Sequence, residues 1–155
     1  MAETSQPIYF VAAAVVGIIL SGLGYFIFET ITTSNIFEKG VNLYKEKDFA
    51  SAEANFRRVI ERHRTNDMAR LFLGNSLMAQ NKLDEATPVF RELTERAPKN
   101  IDAYLRLGDA LMKQNKLEEA IANLQKAREL YKAPSPEQKQ LEDLIEQIKL
   151  NTPTP

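Results

Sequence analysis

One histidine, no cysteine and a few carboxylate pairs are all that 155 residues offer toward covalent or metal chemistry. His63 stands in Arg62-His63-Arg64 at an expected helix end. Serine-type catalysis needs a histidine held between a nucleophile and an orienting acid, and no such motif is near; a surface histidine is expected. The absence of Cys removes thiol nucleophiles, disulfides, zinc ribbons and iron–sulfur sites, and one His cannot form a multi-histidine cage. Asp84-Glu85 and Glu118-Glu119 fall in the first turns of expected helices, where negative charge complements the helix dipole. Glu142-Asp143 falls on an exposed face. No GxGxxG or GxxxxGK[ST] phosphate cradle occurs. These residues imply no enzyme, no cofactor, no metal and no small-molecule substrate. Twenty Lys and Arg against 21 Asp and Glu give a formal net charge of -1, so no basic field points to nucleic acid. One local asymmetry remains, Arg57, Arg58, Arg62, His63 and Arg64 with Glu61 among them. It is expected as a solvated face, with anionic headgroups or an acidic partner as the alternative.

The elements that carry these residues begin with an uncharged run of 21 residues, Ile8 to Phe28. As a helix rising about 1.5 Å per residue it spans the roughly 30 Å hydrocarbon layer, so a transmembrane helix is expected. A cleaved signal peptide would have a basic start, a shorter apolar core and a small-x-small cleavage site, which argues for a retained anchor. Lys39, Lys45 and Lys47 follow the run and MAETSQP before it has no Lys or Arg; the positive-inside rule then places the C-terminal portion on the cytoplasmic or stromal side. Tyr9 and Tyr25 lie near the two interfaces. Ala13, Gly17 and Ser21 recur every four residues with Gly24 on the same side, a stripe on which a partner helix could pack closely.

Beyond the anchor a step of 34 residues relates Gly40, Gly74 and Gly108. The same step relates Ala52, Ala86 and Ala120; Phe49, Leu83 and Leu117; Leu43, Leu77 and Leu111; and Phe56, Phe90 and Leu124. Each unit holds two amphipathic stretches, as in Met68–Gln80 and Leu83–Arg96, joined by a polar turn such as Gln80-Asn81-Lys82. The unit is a helix hairpin, in which the glycine and alanine let two helices touch and the large apolar residues fill the surrounding space. A single hairpin cannot bury its apolar face alone, so three stacked hairpins form the core. Pro88 falls a few residues inside the second helix of unit two, which is expected to start late or kink there. After Lys132, Ser135 suits a helix cap, Pro136 the first helical position and Gln138 a capping box. A helix to about Leu150 is expected, with Leu141, Leu144, Ile145 and Ile148 on one face covering the last hairpin, followed by a disordered tail NTPTP. The fold class is all-α: residues 8–28 a transmembrane helix, 33–132 three hairpins, 136–150 a capping helix.

The leucine-glycine pairs Leu73-Gly74 and Leu107-Gly108, the alanine 12 residues on, the aromatic or leucine 4 beyond it and Pro98 near the unit's end resemble the tetratricopeptide repeat. The resemblance covers about residues 33–132. Lys39 stands where the leucine before Gly40 would be, Arg70 takes the usual aromatic position, and Arg64 stands where unit two has Pro98. The resemblance implies a concave groove lined by first helices, with Phe37, Val41, Tyr44, Leu71, Asn75, Met78, Leu105, Asp109 and Met112 pointing into it. Family members that grip a chaperone's C-terminal carboxylate use Lys and Asn where this chain has Phe37 and Val41, so that activity is disfavoured. Adaptable Met78 and Met112 suit an apolar helix or extended segment, while ordinary core between hairpins is the alternative for part of the list.

An N-terminal membrane helix followed by three such repeats is similar to the small thylakoid proteins of cyanobacteria and algal plastids that assist photosystem I assembly. What that resemblance implies is a membrane-embedded, single-pass adaptor or assembly factor whose partners are proteins, subunits of a membrane complex or their assembly intermediates. Envelope chaperones associated with the translocon and cytochrome c maturation factors share the layout, with repeats in the periplasm as the contrasting expectation.

Overall fold

The computed structural model describes residues 6–132 and 134–151, with side chains from Tyr9 onward; the expected disordered tail, beyond Asn151, lies outside the described residues. Seven helices and no strand are found among them: α1 (Gln6–Lys45), α2 (Phe49–Arg62), α3 (Asp67–Ala79), α4 (Leu83–Arg96), α5 (Ile101–Lys113), α6 (Leu117–Leu130) and α7 (Pro136–Asn151). Each helix packs on its neighbour in sequence, and the first helices of successive hairpins also touch, α1 with α3 and α3 with α5.

Local chemistry repeats at the same step as the core. Lys47, Asn81 and Asn115 take left-handed φ values of 65°, 60° and 59°, which reverses the chain after each first helix. The next residue's N–H then closes back on the helix, Asp48 to the Leu43 carbonyl, Lys82 to Leu77 and Lys116 to Leu111, each at 2.9 Å, satisfying terminal carbonyls. Asn66 and Asn100 cap α3 and α5 by accepting from the Ala69 and Ala103 N–H groups at 2.9 and 3.1 Å. The position 34 residues before Asn66 is Thr32, and it caps nothing. Its hydroxyl donates to the Phe28 carbonyl at 2.8 Å, and Thr30 donates likewise to Phe26. With no Gly, Pro or cap between Glu29 and Lys39, the apolar run and the first helix of unit one are a single 40-residue helix. The apolar run therefore passes into the first repeat without a linker.

The glycine column works by close approach. A Cβ placed on Gly74 would stand 2.4 Å from Phe90 Cε1, one on Gly40 2.9 Å from Phe56 Cε1, and one on Gly108 2.6 Å from Leu124 Cδ2. Ala52, Ala86 and Ala120 are fully buried at the same interfaces. α4 begins at Leu83 and does not start late; Pro88 lies inside it, where the missing N–H forgoes a bond to the Asp84 carbonyl. At α7 the Ser135 hydroxyl accepts from the Gln138 N–H at 3.2 Å, the cap half of the expected box. Leu141 and Ile145 are buried and Ile148 half-buried, but Leu144 is exposed: at a helical step of 100° per residue it lies to one side of the Leu141–Ile145–Ile148 stripe.

Candidate functional site

All nine residues expected in the groove are half-buried, and they come from three adjacent helices, α1, α3 and α5. In units one and two they join an aromatic wall. Phe37 meets Phe56 and Phe72 edge-on, with centroids 5.7 and 5.9 Å apart, and Tyr44 meets Phe49 and Phe72 at 5.3 and 5.7 Å. Phe72 in turn stacks on fully buried Phe56 at 5.3 Å. Phe37, Val41, Tyr44, Leu71, Met78 and Met112 all pack on the main core, and Leu105 and Met112 on a second core that α7 completes around Leu124, Ala127, Leu141 and Ile145. One side of each of these seven is therefore core and the other is open, while Asn75 and Asp109 belong to neither core.

Farther along, Tyr44, Asn75, Met78 and Asp109 surround a depression of about 180 Å³ together with Ala79, Arg106 and Lys113. Lys113 stands 3.9 Å from Asp109. Phe72, Arg106 and Lys113 are absent from the expected list, and the signal for two of them was present: Phe72 and Arg106 follow Leu71 and Leu105 by one residue and share a column of the 34-residue step. The third-unit end of the face is thus charged, where the nine expected residues alone are largely apolar.

The basic cluster is divided by its partners. Arg57 bonds Glu53 and Glu85, each at 2.8 Å, and the equivalent pair one unit later, Arg91 with Glu119, stands at 3.0 Å. These acids therefore link stacked hairpins, in addition to lying in first turns. Arg62 reaches Glu29 on α1 at 3.1 Å. Glu53 accepts from Arg57, from Gln80 at 2.9 Å and from Lys82 at 2.9 Å. Burial pushes its carboxyl pKa up, but the bonds from Lys82, Arg57 and Gln80 outweigh burial and hold it below the ordinary value. His63 is half-buried and its backbone N–H closes α2 on the Val59 carbonyl at 2.8 Å. No group of three metal-ligating side chains occurs among the described residues.

Ala13, Gly17, Ser21 and Gly24 lie exposed on the apolar part of α1. A Cβ on Gly17, Gly22 or Gly24 would meet nothing within 4 Å. That part is long and apolar enough to cross a membrane, with mean hydropathy 2.3 over its most apolar window and none of that window buried.

The first face of the stack explains the departures in unit one. Ala69, Leu73 and Ser76 of α3 and Ala103, Leu107 and Ala110 of α5 are buried against the preceding hairpin. Their equivalents on α1 are Asn35, Lys39 and Asn42, all exposed. Lys39 replaces a leucine because no hairpin packs there, and a terminal unit of a solenoid needs such a polar outer face.

No curated protein sequence matches the chain. Solved structures of similar fold include the type III secretion chaperone SycD of Yersinia enterocolitica in complex with a peptide of the translocator YopD (23% identity, 77% of this chain, 93% of that one, TM-score 0.71). Others are the TPR2B domain of yeast Sti1 in its pHsp70 complex (15%, 79% and 99%, 0.72) and the TPR domain of Arabidopsis OM64 (22%, 74% and 94%, 0.67). At these identities they show the fold alone. The tetratricopeptide repeat profile matches residues 37–101 and 73–135, spanning the same hairpins as the glycine–aromatic contacts, so the chain belongs to the tetratricopeptide repeat family.

Proposed function

We propose that the chain is a membrane-anchored adaptor or assembly chaperone that grips an apolar segment of a client protein along α1, α3 and α5. The observation that carries this reading is the row of nine half-buried residues, seven of them packed on core on one side and open on the other. Such residues are held in place before binding, so association orders few side chains. The neighbouring folds solved with a peptide of the translocator YopD and in a pHsp70 complex are compatible with a protein segment as the ligand. The apolar half of α1 is the anchor. It confines the groove to the membrane surface and raises its effective concentration for membrane-embedded clients.

Lys39, Lys45 and Lys47 favour repeats on the cytoplasmic or stromal side, and the layout favours photosystem I assembly in a thylakoid membrane as the specific task. The test is recovery of partners from mild detergent with Leu71→Glu and Met78→Glu together, and separately with Asn75→Lys. Asn75 is polar already, so its replacement spares the fold. Loss of partners with unchanged melting for Asn75→Lys is expected; full recovery by both variants, each shown to be folded, refutes the groove. Cells lacking the protein should hold less photosystem I while other membrane complexes are spared, and normal levels refute that assignment. Protease added to sealed vesicles whose cytoplasmic or stromal face is outward should digest the repeats; their protection favours an envelope chaperone with periplasmic repeats.

A further inference from the structure

We propose that the edge of the stack formed by the corners between hairpins lies on the membrane surface and binds anionic lipid headgroups, chiefly through Arg64 and a pocket beside His63. The proposal rests on the reading that the apolar half of α1 spans the bilayer. Because α1 is one helix through Lys45, its direction fixes the direction of every later helix. First helices run away from the membrane and second helices return to it, so the α2–α3 and α4–α5 corners share the membrane end. The pair Arg62–Glu29 at 3.1 Å places the first corner one residue past Phe28, the end of the apolar run. Arg96, at the second corner, joins the same edge through Asp67 at 3.1 Å. From Phe28 to Thr33 the helix rises about 7 Å, comparable with the headgroup layer on one side of a bilayer.

At that depth a pocket of about 280 Å³ is lined by Thr30, Thr33, Ser34, Phe37, His63 and Asn66. Its lining is rich in hydroxyl, amide and imidazole groups, which suit a phosphate oxygen. The Thr33 side chain is 4% exposed, and its hydroxyl has no hydrogen-bond partner among the described residues, whereas Thr30 and Thr32 each bond a carbonyl of their own helix. A buried hydroxyl left unbonded is costly, and a headgroup oxygen in the pocket would satisfy it. Of the acids near this edge, Glu29 is engaged by Arg62 and Asp67 by Arg96; Glu61, Glu95 and Asp102 have no ion pair among the described residues, and none of the five lines the pocket. Arg64 is exposed without an ion pair among the described residues, as is Lys99. The opposite edge carries Asp48, Asp84, Glu85, Glu118 and Glu119 interleaved with Lys45, Lys47, Lys82 and Lys116, so distance from the membrane, not net charge, is what sets the two edges apart.

The chain has no cysteine, so Thr65→Cys and Lys116→Cys give one fluorescent label on each edge of the full-length protein. The protein is reconstituted in phosphatidylcholine vesicles containing phosphatidylglycerol, with a quencher on the headgroup of one lipid or the other. The Thr65 position should be quenched and the Lys116 position not. Phosphatidylglycerol should be preferred at Thr65 by about five-fold for each unpaired basic residue in contact, and Arg64→Gln with Lys99→Gln should bring the preference close to unity with helicity unchanged. Quenching at Lys116 equal to that at Thr65, or equal quenching by the two lipids at Thr65, overturns the proposal. Release of the full chain from vesicles at alkaline pH identifies the other failure, that of the spanning reading itself, and the proposal falls with it.

Discussion

Gly74 is where the hairpin can be tested most sharply. A methyl group there would stand 2.4, 2.5 and 2.9 Å from three atoms of the Phe90 ring, and Phe90 is fully buried, so the ring has no outward path. Overpacking of this kind costs about 1–3 kcal/mol. Against it, alanine is better than glycine in a helix interior by about 1 kcal/mol. At 2.4 Å the collision belongs in the upper part of that range, about 2–3 kcal/mol, so the difference leaves Gly74→Ala destabilised by about 1–2 kcal/mol. Gly40→Ala meets Phe56 at 2.9 Å, a collision small enough for the helix gain to cancel it. In a soluble segment of residues 29–151, which keeps the Glu29–Arg62 pair, thermal melting by far-UV circular dichroism should fall by about 4–8 °C for Gly74→Ala and hardly move for Gly40→Ala. Adding Phe90→Leu to Gly74→Ala removes the ring, and the pair should then be non-additive by at least about 0.5 kcal/mol. A Gly74→Ala segment that melts at or above the parent would refute close approach as the reason for the glycine column.

Three further substitutions follow from the same geometry. Lys47 holds φ at 65° where the later turns use asparagine, so Lys47→Asn should raise melting by a few degrees, about 0.5 kcal/mol of relieved strain. Arg70 is 5% exposed, has an unbonded Nη1, and pairs with Glu92 at 2.9 Å; Arg70→Tyr, matching Tyr104 one unit on, should be neutral or stabilising in chemical denaturation, whereas Arg70→Ala should lose about 2 kcal/mol or more. Glu53 has a depressed pKa in the fold relative to 4.5; its contribution is therefore fully present above that value and lost as pH falls through the folded value. The stability gap between the parent and Glu53→Gln, measured by urea denaturation across pH, should be widest at neutral pH and close on acidification.

The hairpins were legible because each glycine, alanine and large apolar residue recurs at a fixed step, and a repeated contact leaves a repeated signature. The turns were legible only in part. The pattern marks Gln80-Asn81-Lys82 as polar, but that Lys47 adopts the same left-handed backbone as Asn81 is decided by the closing bonds to Leu43 and Leu77, and lysine carries no such signal. The cross-hairpin pairs Arg57–Glu85 and Arg91–Glu119 escaped a reading that took the acids as helix-dipole partners and the arginines as solvated. Both ends sit at the 34-residue step, so treating charged columns like apolar ones would have found them. Of the candidate face, the nine half-buried residues were supplied by the resemblance to the tetratricopeptide repeat, while Arg106 and Lys113 depend on how α3 and α5 sit side by side, which no single repeat encodes.

The absence of a cap at Thr32 ties these levels together. In units two and three an asparagine ends the preceding segment and starts a new helix, which lets each hairpin turn against the last. In unit one the same position is a threonine bonded to its own helix, and the chain continues from apolar run to repeat as one rod about 60 Å long. A flexible linker would let the groove sample all directions and would leave the corners free of the membrane. On the proposed reading a rod fixes both, so the residues that hold α1 straight through Glu29–Ser34 would set where the groove points as firmly as the residues that line it. Inserting Gly-Gly after Thr32 should therefore leave melting of the repeats nearly intact while weakening capture of a membrane-embedded client. Unchanged capture in that variant would show that the groove works independently of its orientation, and that the anchor supplies concentration alone.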